Sequence, residues 1–110
     1  MHIKDQNRLE SILEAILKIE SYTSQFQDAD QLNDNNIALD ATMMNFVIIG
    51  EMVVKLSEDF KNKYPEIEWH KIKGLRNIAA HDYFGIDAEE VWQIIQKYLP
   101  ALREFIEKHI

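Results

Sequence analysis

The stretch Arg76-Asn77-Ile78-Ala79-Ala80-His81-Asp82-Tyr83 holds an arginine, an amide, an imidazole and a phenol within eight residues. Arginine carries a permanent charge in a planar fork of donors suited to phosphate, and histidine exchanges protons near neutral pH. A fixed cation beside a proton carrier points to chemistry on a phosphodiester. Arg76 would stabilise developing charge, Asn77 would position, and His81 would move a proton.

Such a set needs an element to aim it. Trp69, Ile72, Leu75, Ile78 and Ala79 recur at helical spacing, so the motif lies on an amphipathic helix. At about 100° per residue with Arg76 at zero, Asn77 falls at about 100° and His81 at about 140°, whereas Ile78, Leu75 and Ala79 fall between about 200° and 300°. Asn77 and His81 therefore share an outward stripe with Arg76 on its border. Tyr83, at about 340°, lies on the Arg76 side. His70 and Lys73 occupy the polar side as well.

The rest of the chain reads as helices that would hold this one. Leu9, Ile12, Leu13, Ile16 and Leu17 mark a helix over about residues 4–25, with a charged opposite face. The polar run 28–36 reads as a loop, and a second helix is expected to start near Asn36 and continue to Tyr64. Phe46, Ile49, Val53, Leu56 and Phe60 form its core stripe. Gly50 within it implies a close helix contact, because a mid-helix glycine costs up to about 1 kcal/mol relative to alanine. Pro65 ends that element, and Gly85 is a stop after the motif. Asp87-Ala88-Glu89-Glu90 fits a capping box ahead of Val91, Ile94, Ile95 and Tyr98, and Pro100 predicts a break or kink before a final short helix. No strand alternation or repeat is present. The expected fold is all-α: one domain over residues 1–110, a bundle of four long helices with a short or kinked C-terminal helix broken or bent at Pro100.

Composition agrees with a folded, helix-rich protein: 46% hydrophobic, 28% charged, 3 Gly and 2 Pro. Zero Cys removes disulfides, thiolate nucleophiles and Cys-ligated zinc, and is compatible with a reducing cytoplasm. The polar N-terminus lacks the apolar core of a signal peptide, and the longest apolar run, 46–50, is too short to cross a bilayer. These features set the expectation of a soluble, cytoplasmic protein with no membrane partner. The net charge of −7 argues against binding nucleic acid through a broad basic surface. Its distribution is uneven, since residues 61–83 carry Lys61, Lys63, Lys71, Lys73 and Arg76 against Glu66, Glu68 and Asp82, a window of +2 in a remainder of −9. A local field there would attract phosphate.

The run from Trp69 to Phe84, with Ile49-Gly50-Glu51 and Tyr64-Pro65 before it and Val91-Trp92 and Leu99-Pro100 after it, resembles the HepT-like toxins of the HEPN superfamily. The resemblance covers nearly the whole chain and centres on Arg-Asn-x-x-x-His-x-Tyr. It implies an up-and-down four-helix bundle of HEPN type, a homodimer that brings two motifs into one cleft, and metal-independent cleavage of RNA, with no cofactor. Arg76, His81 and Asn77 would be the catalytic residues. It also implies a toxin–antitoxin pair in which an MntA-like nucleotidyltransferase antitoxin silences the ribonuclease by AMPylation of Tyr83. Nucleotide bulk and negative charge there would obstruct the cleft and repel RNA. Glu51, following Gly50, is a candidate partner for Arg76 or support for the dimer. Trp69 and Trp92 fit apolar helical periods and read as core anchors. The alternative reading is a non-catalytic HEPN module that binds a nucleotide or a nucleotidyltransferase, which the acidic net charge favours.

Overall fold

The computed structural model describes residues 1–81, 85 and 87–110; the side chains of Ala80 and His81 lie outside the described set. All regular structure among the described residues is helical. Four helical columns enclose one core, which matches the expected all-α, HEPN-like class.

The first column is α1, Ile3–Thr23. His2 caps it through Nδ1, which accepts from Lys4 N–H at 3.1 Å. Leu9, Ile12, Ile16 and Ile19 are buried on one face, but Leu17 points outward. The stripe expected from the sequence drifts too far at Leu17, which sits about 80° round the helix from Leu9 while Ile12, Ile16 and Ile19 lie on the other side of it. The run expected as a loop holds a six-residue helix, α2, Ala29–Asp34, capped by Asp28 and docked by buried Ala29 and Leu32. Six residues are too few to show periodicity, so only the cap and one leucine signal it.

The second column is α3, Asn36–Lys55, opened by Asn35, whose side chain accepts from Ala38 N–H at 3.0 Å. It stops before Tyr64, contrary to expectation. Leu56 leaves the helix in extended geometry, and Ser57 begins a separate helix, α4, Glu58–Lys63, by accepting from Phe60 N–H. The break has a tertiary cause: the buried carboxylate of Asp5 on α1 accepts from Ser57 N–H at 2.9 Å and from Ser57 Oγ at 2.6 Å. Arg8 adds a hydrogen bond to the Lys55 carbonyl. The expected core stripe survives the break, since Phe46, Ile49, Val53, Leu56 and Phe60 are all buried. α3 is apolar and long enough to span a bilayer by composition, yet half of its apolar window is buried inside the protein. It is the central core helix, packed on α1, α5 and α6.

The third column carries the motif in two pieces, α5, Trp69–Lys73, and α6, Leu75–His81. Gly74 joins them in right-handed helical geometry, φ −64° and ψ −15°, so the column continues with a small jog. Ile72, Leu75 and Ala79 are buried as the wheel requires. Trp69 is a core anchor: its indole N–H donates to the Lys61 and Tyr64 carbonyls, and its ring packs edge-on against Phe60 and Phe105. Trp92 packs against the core as well.

The fourth column starts where expected, with Asp87 accepting from Glu89 and Glu90 N–H to cap α7, Ala88–Gln93. The anticipated irregularity at Pro100 takes the form of a π-helical turn, Ile94–Tyr98, leading without a break into α8, Leu99–His109. Proline lacks an N–H and its ring crowds the carbonyl four residues earlier; a widened turn there absorbs the mismatch. Leu99 N–H accordingly reaches back five residues to Ile94.

Candidate active site on the motif helix

The motif helix approaches α3 most closely at Gly50. A Cβ at that position would lie 2.9 Å from Arg76 Cβ and 3.0 Å from both Arg76 N and the Lys73 carbonyl oxygen. Only glycine lets α6 seat this deeply, as the close contact inferred from the sequence requires. The seating fixes the start of the Arg76 side chain.

Its end is fixed by the next residue of α3. Arg76 Nη1 donates to Glu51 Oε1 at 3.0 Å, with Arg76 about one third exposed and Glu51 slightly more. Such a half-exposed pair contributes under about 1 kcal/mol to stability. Its effect is orientation. Arginine has five N–H donors, and among the described residues Glu51 alone engages the fork, through one nitrogen, which leaves the other donors for an anion at the surface.

Asn77 is exposed, and it and His81 belong to the same unbroken helix four residues apart, the spacing that places two residues on one face. The imidazole of His81 and all of Tyr83 lie outside the described residues. The structure thus brings Arg76 and Glu51 together, presents Asn77 beside them, and carries the backbone of His81 to the end of the same helix. Among the described residues no group of three or more His, Asp or Glu side chains is arranged to hold a metal ion.

Two features around the site exceed what sequence reasoning found. The outward face of α3 that carries Glu51 is apolar: Ile37 is 85% exposed and Met44 61% exposed, with Ile48 only partly covered. Ile37, Met44, Ile48 and Glu51 fall within about 60° of one another on the helix. The core stripe of α3 marks only its inward side, although the hydropathy of the whole helix carries the signal. Second, Lys61, His70 and Lys73 converge on one pocket next to Arg76. The residue types are plain in the sequence, but the convergence depends on the α3–α4 break.

A protein-family model described as Ribonuclease HepT-like matches residues 12–109. "Probable ribonuclease HepT" of Thermococcus cleftensis is 35% identical over 91% of this chain and 90% of its own length. A "Putative RNase" of Methanocaldococcus jannaschii is 32% identical over 90% of each chain. A third relative, "Gamma-glutamylcyclotransferase and putative RNase" of the same archaeon, is 35% identical over 91% of this chain, which spans only 45% of that protein. No solved structure gives a significant match.

Proposed function

The chain belongs to the HepT-like ribonuclease family, and from that premise we propose that it is a metal-independent endoribonuclease toxin working as a homodimer. The observation that carries the reading is the Arg76 guanidinium, seated by Gly50, aimed by Glu51 and flanked by exposed Asn77 on the helix that ends at His81.

In the proposed reaction a ribose 2′-hydroxyl attacks the adjacent phosphorus. The O2′–P bond forms and the P–O5′ bond breaks, leaving a cyclic phosphate and a 5′-hydroxyl. The proton lost from the 2′-hydroxyl and the proton gained by O5′ pass through His81, acting in proton transfer. Arg76 stabilises charge on the non-bridging oxygens, worth several kcal/mol for a donor aimed at developing charge. Asn77 orients His81 or the phosphate.

A single helix face is too open to exclude water, and the apolar stripe of Ile37, Met44 and Ile48 next to Glu51 suits a second copy of the chain. Pairing there would set two Arg76 motifs across one cleft. An MntA-like nucleotidyltransferase antitoxin would silence the enzyme by attaching AMP to Tyr83, adding bulk and negative charge on the Arg76 side. The Arg76–Glu51 pair also favours a second reading, a non-catalytic HEPN module, because it partly neutralises the cation.

RNA cleavage by the purified free protein in excess chelator separates the two. Cleavage leaving cyclic phosphate ends, abolished in His81→Ala with helicity intact, is expected. Full activity in that variant, or no cleavage by the wild type, overturns the ribonuclease assignment.

A further inference from the structure

Next to Arg76 lies a set of polar groups that the cleavage chemistry leaves unused. Lys61 and Asn62 from α4 and His70 and Lys73 from α5 line an open pocket of about 280 Å³ over a floor of Val53 and Trp69. Lys73 stands three residues before Arg76 on a column that stays helical through Gly74, and its carbonyl abuts the same Gly50 that seats Arg76. Residues three apart on a helix are neighbours, so the pocket opens one turn from the guanidinium.

The donors differ in freedom. Lys61 is pinned, donating to the Val53 carbonyl at 3.3 Å and pairing with Glu58 at 3.2 Å, with its side chain only 16% exposed. Lys73, His70 and Asn62 make no side-chain hydrogen bond or ion pair among the described residues. In a chain of net charge −7, two lysines and an imidazole line this pocket with Glu58 as its one acid among the described residues, and the lysines outnumber it to leave a local cationic spot. The occupant should be an anion rather than a base. Trp69 cannot serve as a stacking platform, since its N–H is spent on backbone carbonyls and its ring is held between Phe60 and Phe105.

Resting on the ribonuclease reading above, we infer that this pocket is a subsite for a flanking phosphate of single-stranded RNA, one nucleotide from the scissile bond at Arg76. Lys73 and His70 are its free donors, Asn62 adds an amide, and Lys61, whose charge Glu58 offsets, walls the pocket. These are positioning residues: they hold the strand in register and take no part in bond making.

The test uses the full chain and a Lys73→Gln/His70→Gln double variant. Binding of a 2′-O-methyl RNA oligomer, which cannot attack its own phosphate, is followed by fluorescence anisotropy across a KCl series. Each phosphate contact to a single strand contributes about 0.7 to the slope of log affinity against log salt. The variant should lose about 0.7 of slope and several-fold in affinity at low salt, and its KM for cleavable RNA should rise by a similar factor with kcat within about twofold. On a dinucleotide, which has no flanking phosphate, variant and wild type should have equal kcat/KM. An unchanged slope, an equal loss on the dinucleotide, or an equal loss from Lys71→Gln, whose lysine pairs with Glu68 outside this pocket, overturns the subsite. Wild-type protein that binds RNA without cutting it would count against the ribonuclease reading, while the salt slope still decides the subsite.

Discussion

Gly50→Ala is the sharpest probe of how the site is built. The new methyl carbon would sit 2.9 Å from Arg76 Cβ and 3.0 Å from backbone atoms of Arg76 and Lys73. Comfortable carbon–carbon separation is about 3.5–4.0 Å, so α6 must retreat from α3 by roughly 0.5–1 Å. Overpacking of this kind costs about 1–3 kcal/mol, while replacing a mid-helix glycine by alanine returns up to about 1 kcal/mol. The net loss is between zero and about 3 kcal/mol, a fall in Tm of up to roughly 20 °C for a domain of this size. The variant should therefore stay folded at 25 °C. Activity responds differently, because misplacing a catalytic group by about 1 Å can cost a hundredfold. Thermal unfolding by circular dichroism and RNA cleavage at 25 °C would be measured together, with a 10–100-fold loss of kcat/KM expected from a folded protein. A variant that cleaves at the wild-type rate would show that the helix crossing does not position Arg76.

Asp5→Asn tests the tie that ends α3. Burial alone would raise the Asp5 pKa, but hydrogen bonds from the Ser57 side chain and backbone, with the Arg8 and His2 charges, outweigh it and leave the carboxyl below its ordinary 3.8. The unfolded chain then takes up this proton first on acidification, so the contribution is present above about pH 4 and is lost as pH falls through the depressed folded value. Urea midpoints should show Asp5→Asn destabilised by about 1–3 kcal/mol at pH 7 and progressively closer to wild type below pH 4; a constant deficit would refute the linkage. Glu51→Gln should change stability by less than about 1 kcal/mol, since the pair is half exposed. Freed of its counter-charge, Arg76 should hold RNA more tightly but less well oriented, so KM should fall and kcat with it. An unaltered kcat in steady-state cleavage would reduce Glu51 to a surface partner.

How much of this was legible depended on where each cause lies. Signals contained within one helix were readable: the Asp87 cap and the Phe46 to Phe60 stripe are where the sequence placed them, and Gly50 marks the close helix contact, whereas the Glu51 pairing with Arg76 was only one of the roles the sequence left open. Signals arising between helices were not. The local sign at residues 55–58 is slight, Ser57 as a cap ahead of Glu58 and Asp59; the carboxylate that fixes the corner sits more than fifty residues earlier, on Asp5. The consequence reaches the site, because the Ser57 corner starts α4 and so brings Lys61 alongside Val53, where its charge joins Lys73 and His70. α3 explains why one helix could be read only in part. It buries Phe46, Ile49 and Val53, yields its backbone to Arg76 at Gly50, and turns Ile37 and Met44 to solvent on the face that ends at Glu51. A helix apolar on both faces shows little periodicity, so spacing marks its inward stripe and leaves its outward one unmarked. The outward apolar residues add nothing to the core of a single copy, and their position next to Glu51 is what ties the proposed dimer to the proposed chemistry.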